Sequence, residues 1–137
     1  MNAVDTNVLI YSCDRRDPAK QSLARELIDS IQDGVLLWQV ACEYIAATRK
    51  LSALGFSAQD AWDNLADLMV AFRLVVPEAA VLTSARRLHL AQRCSFWDAM
   101  IYAGCLEAQV STIYSEDLPG SQIPGLNVVN PFAARSS

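Results

Sequence analysis

The chain alternates short apolar runs with longer stretches in which apolar residues recur every three or four positions. Ala3-Val4 opens as a strand, and the polar Asp5-Thr6-Asn7 that follows is read as a turn. Asp17-Pro18 offers an N-cap followed by proline at the first helical position. Leu23, Leu27, Ile28 and Ile31 then keep helical spacing, and Gly34 is read as the stop of that helix. Val35-Leu36-Leu37-Trp38 is compact and apolar, the signature of a buried strand. Helices are predicted over 39–51 and 57–72, the second opened by Ser57 with Asp60 in the place where a capping box usually carries Glu or Gln. Leu74-Val75-Val76 before Pro77 is another strand, and a helix to about residue 93 follows. Ser95 caps a last helix running to about 109. Thr112-Ile113-Tyr114 and Val128-Val129 complete the strands.

Strands separated by helices, with no Asn-Gly hairpin turn, imply an α/β fold with a mostly parallel central sheet. Helices then cover both faces, a three-layer α/β/α arrangement. With 137 residues, 53% of them hydrophobic, the chain reads as one domain over 1–132 with a short tail at 133–137. No apolar run reaches the ~18 residues of a membrane span. Asp5 and Asn7 interrupt the start, so it does not read as a secretory signal, and a cytoplasmic location is expected.

Cysteines at 13, 42, 94 and 105 form no close pair of the zinc-binding kind and are expected reduced. Cys42 and Cys105 fall in apolar helical stretches and read as core residues. His89 is the only histidine, so paired-His metal sites are excluded. No glycine-rich phosphate loop is present.

The remaining chemistry is acidic. Asp5, Glu43, Asp98 and Asp117 each fall where a strand or helix end can aim a carboxylate at one pocket. In open parallel sheets, ligands bind at the carboxyl ends of strands. Asp5 closes the first strand, and Asp117 lies just past 112–114. Either could equally be a turn or capping residue. At ~100° per residue, Val40, Tyr44, Ala47 and Leu51 form one helical stripe, and Glu43 lies on its flank. A carboxylate there needs a partner or a metal, unless it only caps the first turn. Asp98 follows Ser95 at capping-pair spacing, and a helix N-terminus is also a place to hold a carboxylate beside a phosphate. Gathered carboxylates repel one another, which points to a divalent cation between them. Asn7 and Ser115 are candidate donors orienting those carboxylates. Glu116 is expected to face solvent, and Asp14 to lie outside the cluster.

The formal charge of −4 equals that of the four candidate acids, so the rest of the chain is balanced. An acidic protein is not the usual phosphate binder, but a metal-loaded site would no longer repel one. The pairs Arg15-Arg16, Arg49-Lys50 and Arg86-Arg87 read as solvated faces. Trp38, Trp62 and Trp97 sit in apolar surroundings and read as core residues rather than base-stacking platforms.

Taken in order, these segments resemble the PIN-domain ribonucleases, specifically the VapC-type toxins of toxin–antitoxin modules. The resemblance rests on Val4-Asp5-Thr6-Asn7-Val8-Leu9-Ile10-Tyr11 and Gln39-Val40-Ala41-Cys42-Glu43. It continues in Ser95-Phe96-Trp97-Asp98-Ala99-Met100-Ile101, Tyr114-Ser115-Glu116-Asp117-Leu118 and Val129-Asn130-Pro131-Phe132, so it covers nearly the whole chain. It implies a PIN-like three-layer fold and an endoribonuclease using Mg²⁺ or Mn²⁺, with water attacking an RNA phosphodiester in line. Asp5, Glu43, Asp98 and Asp117 match the family's acidic metal-site positions, with Asp5 and Asp98 as foremost ligands. Asn7 and Ser115 match its supporting polar positions, Ser115 standing where many members carry threonine. The implied partners are an RNA substrate, a cognate antitoxin and a second copy of the chain, the last with the helix around Trp62 to Met69 as one possible surface.

Other classes fit less well. A receiver domain needs a late-strand lysine, and no lysine follows Lys50. A haloacid-dehalogenase-like phosphatase wants aspartate where Asn7 stands. A housekeeping PIN nuclease, or a non-catalytic binding module of the same fold, remains as the alternative.

Overall fold

A computed structural model describes residues 1–92, 94–119 and 123–133. Five strands form one sheet in the order β3-β2-β1-β4-β5, and every adjacent pair is parallel. They are β1 Asn2–Val4, β2 Gly34–Leu37, β3 Arg73–Val75, β4 Thr112–Tyr114 and β5 Asn127–Val129. Six helices connect them: α1 Thr6–Cys13, α2 Pro18–Ser30, α3 Trp38–Ala47, α4 Ala58–Ala71, α5 Ala79–Gln92 and α6 Phe96–Glu107.

Successive strand residues point to opposite faces, yet Ala3, Val4, Val35, Leu36 and Leu37 are all buried. Both faces of the central strands are therefore covered, which explains why these runs are continuously apolar rather than alternating. Helix α1 packs against both α2 and α3, α3 packs in turn against α4, and α5 and α6 pack mainly together. Among the described residues, no helix is long and apolar enough to cross a membrane.

Local chemistry sets most boundaries as expected. Asp17 caps α2 by accepting from the Lys20 N–H, with Pro18 in the first turn. Ser57 and Asp60 close a full capping box at α4, so aspartate serves where Glu or Gln is usual. Ser95 Oγ accepts the Asp98 N–H at 3.1 Å to start α6.

Four expectations fail. The polar turn after β1 is instead the first turn of α1, with Asp5 as its N-cap. Gly34 does not stop α2, which ends at Ser30. It opens β2, where an added Cβ would lie 3.0 Å from the Phe72 ring, so close packing is its constraint. Helix α3 ends at Ala47 and gives way to a 3₁₀ turn, Thr48–Leu54, closed by Gly55 at φ +90. Cys42 is exposed rather than core, although Cys105 is buried and all four thiols are free. The expected end of the fifth helix at residue 93, and the tail beyond Ala133, lie outside the described residues.

Candidate active site

The strand order reverses at β1. Its chain goes on to β2 on one side, while β4 pairs on the other. The crevice outside the strand ends at such a switch point is the natural ligand site of an open α/β sheet. Two backbone bonds continue the ladders past the strand ends and fix the geometry there. The Asp5 N–H donates to Tyr114 O at 2.9 Å, and the Ser115 N–H donates to Val129 O at 2.9 Å. Residues 110 positions apart in sequence thus become neighbours.

Ser115 Oγ donates to Asp5 Oδ2 at 2.8 Å and accepts the N–H groups of Asp117 (3.1 Å) and Leu118 (3.0 Å). One buried hydroxyl orients Asp5 and also shapes the turn that presents Asp117. Asn7 completes the link. Its Nδ2 lies 3.3 Å from Asp5 Oδ2, 3.2 Å from Ser115 Oγ and 3.3 Å from Asp117 Oδ2. Its Oδ1 accepts the Glu116 N–H at 3.0 Å, so both ends of the amide are used. Asp5 Oδ1 accepts the Thr6 N–H at 2.8 Å, so the capping and cleft-facing roles coexist in one side chain.

Glu43 enters from α3. Thr6 Oγ1 donates to its Oε2 and Gln39 Nε2 to its Oε1, both at 2.8 Å. Held by a neutral donor on each oxygen, Glu43 keeps its charge directed into the cleft rather than cancelled by a lysine. Asp98 reaches the same space from the first turn of α6.

A cleft of about 470 Å³ is lined by Asp5, Glu43, Asp98 and Asp117 together with Thr6 and Asn7. The four candidate acids therefore come from four separate elements to one place, with Asn7 and Ser115 bridging Asp5 to Asp117. Among the described residues, none of these acids has a lysine or arginine within salt-bridge distance. Burial pushes the Asp5 carboxyl above its ordinary range, and the nearby charges of Glu43 and Asp117 add to the rise. The Ser115 and Thr6 hydrogen bonds offset part of it. Behind the site, burial first and Asp5 second push the Cys105 thiol up to about 12, so it is a packed, inert group.

The donor set is all oxygen, which suits a hard divalent cation. Among the described residues, no three His, Cys, Asp or Glu side chains converge closely enough to grip an ion alone. That geometry fits Mg²⁺, which keeps several waters and is commonly bound through only one or two carboxylates.

Several neighbours were not foreseen. Gln39 stands one helical turn before Glu43, and that i, i+4 spacing was legible in the sequence. Thr6 was read only as part of a turn, and nothing in sequence links it to Glu43. Asp14, Arg16 and Lys50 also line the cleft. Asp14 is therefore not outside it, although Arg16 neutralises it through bonds of 2.9 and 2.8 Å. Glu116 is not solvent-facing. It is half-buried, ion-paired with Lys20, and accepts the Tyr11 hydroxyl at 2.7 Å. Trp38, Trp62 and Trp97 are not core residues: they are 47%, 57% and 63% exposed. Trp62 and Trp97 lie on helices read from the sequence but on their outward faces, whereas Trp38, read as the end of a strand, instead opens α3.

Comparison with known proteins places this architecture. A PIN-domain family model matches residues 3–119. No curated protein matches the chain. A toxin–antitoxin complex from Klebsiella pneumoniae is similar in structure, with a TM-score of 0.72 at 17% identity, covering 96% of this chain and 98% of that one. VapC20 of Mycobacterium tuberculosis, a sarcin–ricin loop cleaving toxin, gives 0.70 at 16% identity, covering 93% and 99%. VapBC2 of Rickettsia felis, bound to a DNA fragment from its promoter, gives 0.66 at 14% identity, covering 93% and 96%. With most of its length matched by that family model and the five-stranded parallel sheet in place, the chain belongs to the PIN-domain family.

Proposed function

We propose that the protein is a Mg²⁺- or Mn²⁺-dependent endoribonuclease acting as the toxin of a toxin–antitoxin module. The observation that carries this reading is the meeting of four carboxylates in one cleft, none of them ion-paired with a lysine or arginine among the described residues. Folding such a cluster works against like-charge repulsion, and a bound divalent ion relieves it. That ion would be held foremost by Asp5 and Asp98, with Glu43 and Asp117 completing the shell directly or through water. When bound, it lowers the pKa of water and offsets charge on phosphate oxygens.

The chain's own residues do the rest. Ser115 and Asn7 hold Asp5 and Asp117 in register, and Thr6 and Gln39 fix both oxygens of Glu43. Glu43 is thereby positioned to orient an attacking water. Attack forms a new O–P bond as the water gives up a proton to solvent, and the P–O3′ bond opposite it breaks, the 3′ oxygen leaving as a hydroxyl that takes its proton from solvent. No histidine is needed, and His89 lies far along α5 against Phe96. The toxin reading is supported by relatives that are themselves toxins or toxin–antitoxin complexes. A cognate antitoxin would cover the acidic cleft, and arginine suits it best because its planar fork pairs with carboxylates bidentately. A homodimer is part of the same reading, with exposed Trp62 and Met69 of α4 as its candidate surface.

The test is cleavage of total cellular RNA by the purified chain. Activity is expected with Mg²⁺ or Mn²⁺, is abolished by excess EDTA, and is lost in Asp5→Asn and Asp98→Asn. Full activity in EDTA or in both variants would overturn the proposal. Expression alone is expected to arrest a host cell, with relief by co-expression of the neighbouring small protein.

A further inference from the structure

A second cleft of about 270 Å³ opens beside the acidic one, with Gln39, Trp97 and Ile101 lining both. Its remaining walls include Trp38, Val75, Pro77 and Met100, and among the described residues no charged one lines it. The acidic cleft is therefore asymmetric. Arg16 and Lys50 line it as well, whereas its shared wall leads into an aromatic, uncharged recess.

We infer that this recess is a stacking subsite for one unpaired nucleobase of an RNA strand whose phosphate lies at the acidic cluster. The inference rests on the nuclease reading above and names how that site holds its substrate. Three observations carry it. First, Trp38 and Trp97 are both strongly exposed, an unusual outlay of the most apolar surface unless something covers it. Second, Trp97 is immediately followed by Asp98 in α6, and Trp38 lies one residue before Gln39, which holds Glu43. Aromatic wall and acidic centre thus share the same first helical turns, so a base on one side sets where its phosphate falls on the other. Third, the recess, at about 270 Å³, has room for a planar heterocycle between its walls.

The ring of Trp97 is also braced for the task. Phe96 meets it edge-on with centroids 4.9 Å apart, and Gln39 Nε2 donates to its backbone carbonyl at 3.4 Å, tying α3 to α6 across the recess. Stacking on tryptophan needs no hydrogen-bond match, so this subsite favours unpaired over paired RNA more than one base over another.

The experiment uses the full-length protein and two probes: an unstructured RNA oligonucleotide, and a sugar–phosphate strand of the same length lacking bases. Binding is followed by tryptophan fluorescence in the non-cleaving Asp5→Asn protein. RNA is expected to quench the emission and the abasic strand is not. Trp38→Ala or Trp97→Ala should weaken RNA binding about tenfold each, with Trp97→Phe recovering most of it. In the otherwise wild-type enzyme the same changes should raise KM more than they lower kcat, which separates a lost contact from a displaced Asp98. Leu82→Ala, exposed on α5, is the unaffected control.

Equal binding of the abasic strand, or unchanged binding and KM in both alanine variants, overturns the subsite even if the enzyme cleaves RNA. Base-dependent binding without any cleavage overturns the nuclease reading and leaves the subsite standing. Alanine variants that cleave normally but no longer bind a purified antitoxin would make the recess a protein-docking site, and the inference fails.

Discussion

Glu116 and Asp117 are adjacent in one turn, yet they belong to two different electrostatic worlds. Glu116 sits half-buried in a closed group: Lys20 pairs with it, Tyr11 donates to it, and the Lys20 ammonium lies 4.5 Å from the Tyr11 ring centroid. Lys20 holds the Glu116 carboxyl below its ordinary range. Asp117 lines the acidic cleft with Asp5, Glu43 and Asp98; Asp5, Glu43 and Asp117 accept neutral donors, and among the described residues none of the four is ion-paired. The first group is complete and works as a clasp, tying the turn after β4 to α1 and α2. The second is incomplete by design. Where carboxylates lie together and unpaired while their neighbours are paired, the unpaired cluster is the candidate binding site.

The largest effect that could break this comparison is on cleavage. Asp5→Asn should cut kcat by more than about a hundredfold, exceeding what loss of a supporting group usually costs. Its metal-free Tm should stay level or rise, because a costly buried charge is gone. Glu116→Gln should do the reverse, keeping most of the rate while lowering Tm. If both variants lose rate equally, the two groups are not distinct.

Next in size is Ser115→Ala. Removing the hydroxyl leaves Asp5 Oδ2 short of a donor and frees two backbone N–H groups, so activity should fall by roughly 10- to 100-fold. Stability should fall as well, by ~1–3 kcal/mol, measured by urea unfolding. Ser115→Thr should restore both, and its failure to do so would show that more than the hydroxyl matters.

A smaller effect separates the groups by pH. Asp5 binds its proton more tightly when folded, so the stability this provides is present below its ordinary 3.8 and is lost as pH rises through the raised value. Glu116 and Asp14 are shifted down by Lys20 and Arg16, so theirs is present above 4.5 and 3.8 and is lost as pH falls through the lowered values. In EDTA, Tm should therefore peak in mild acid and decline on both sides. Asp5→Asn should flatten the decline toward neutral pH, and Mg²⁺ should raise Tm there by linkage. A profile unchanged by Asp5→Asn would remove Asp5 as its cause.

The smallest effect sharpens the boundary of the site. Asp14 lines the cleft but is spent on Arg16. Asp14→Asn should lower Tm by a few degrees with little change in cleavage. A large loss of rate would move Asp14 into the catalytic group.

Much of this was legible in the chain. Continuous apolar runs at β1, β2 and β4 marked buried parallel strands, and the caps at Asp17, Ser57 and Ser95 marked helix starts, because both signals depend only on neighbours in sequence. The four acids stood out because strand ends and helix starts are where a carboxylate can face a crevice. The failures share one cause. Whether Trp38, Trp97 or Cys42 is covered depends on what packs over the outer face of α3 and α6, and no residue nearby in sequence reports that. Glu116 was misjudged because its partner Lys20 lies 96 positions away.

The sequence by itself determined the layered α/β architecture, the order of its elements and the candidate acids, since periodicity and capping are local energies. Only the tertiary structure decided that Asp5 and Ser115 touch, that Thr6 rather than a lysine holds Glu43, and that the tryptophans line a recess. Those contacts depend on β4 pairing with β1 across the switch point, a long-range choice made by burial of the whole sheet.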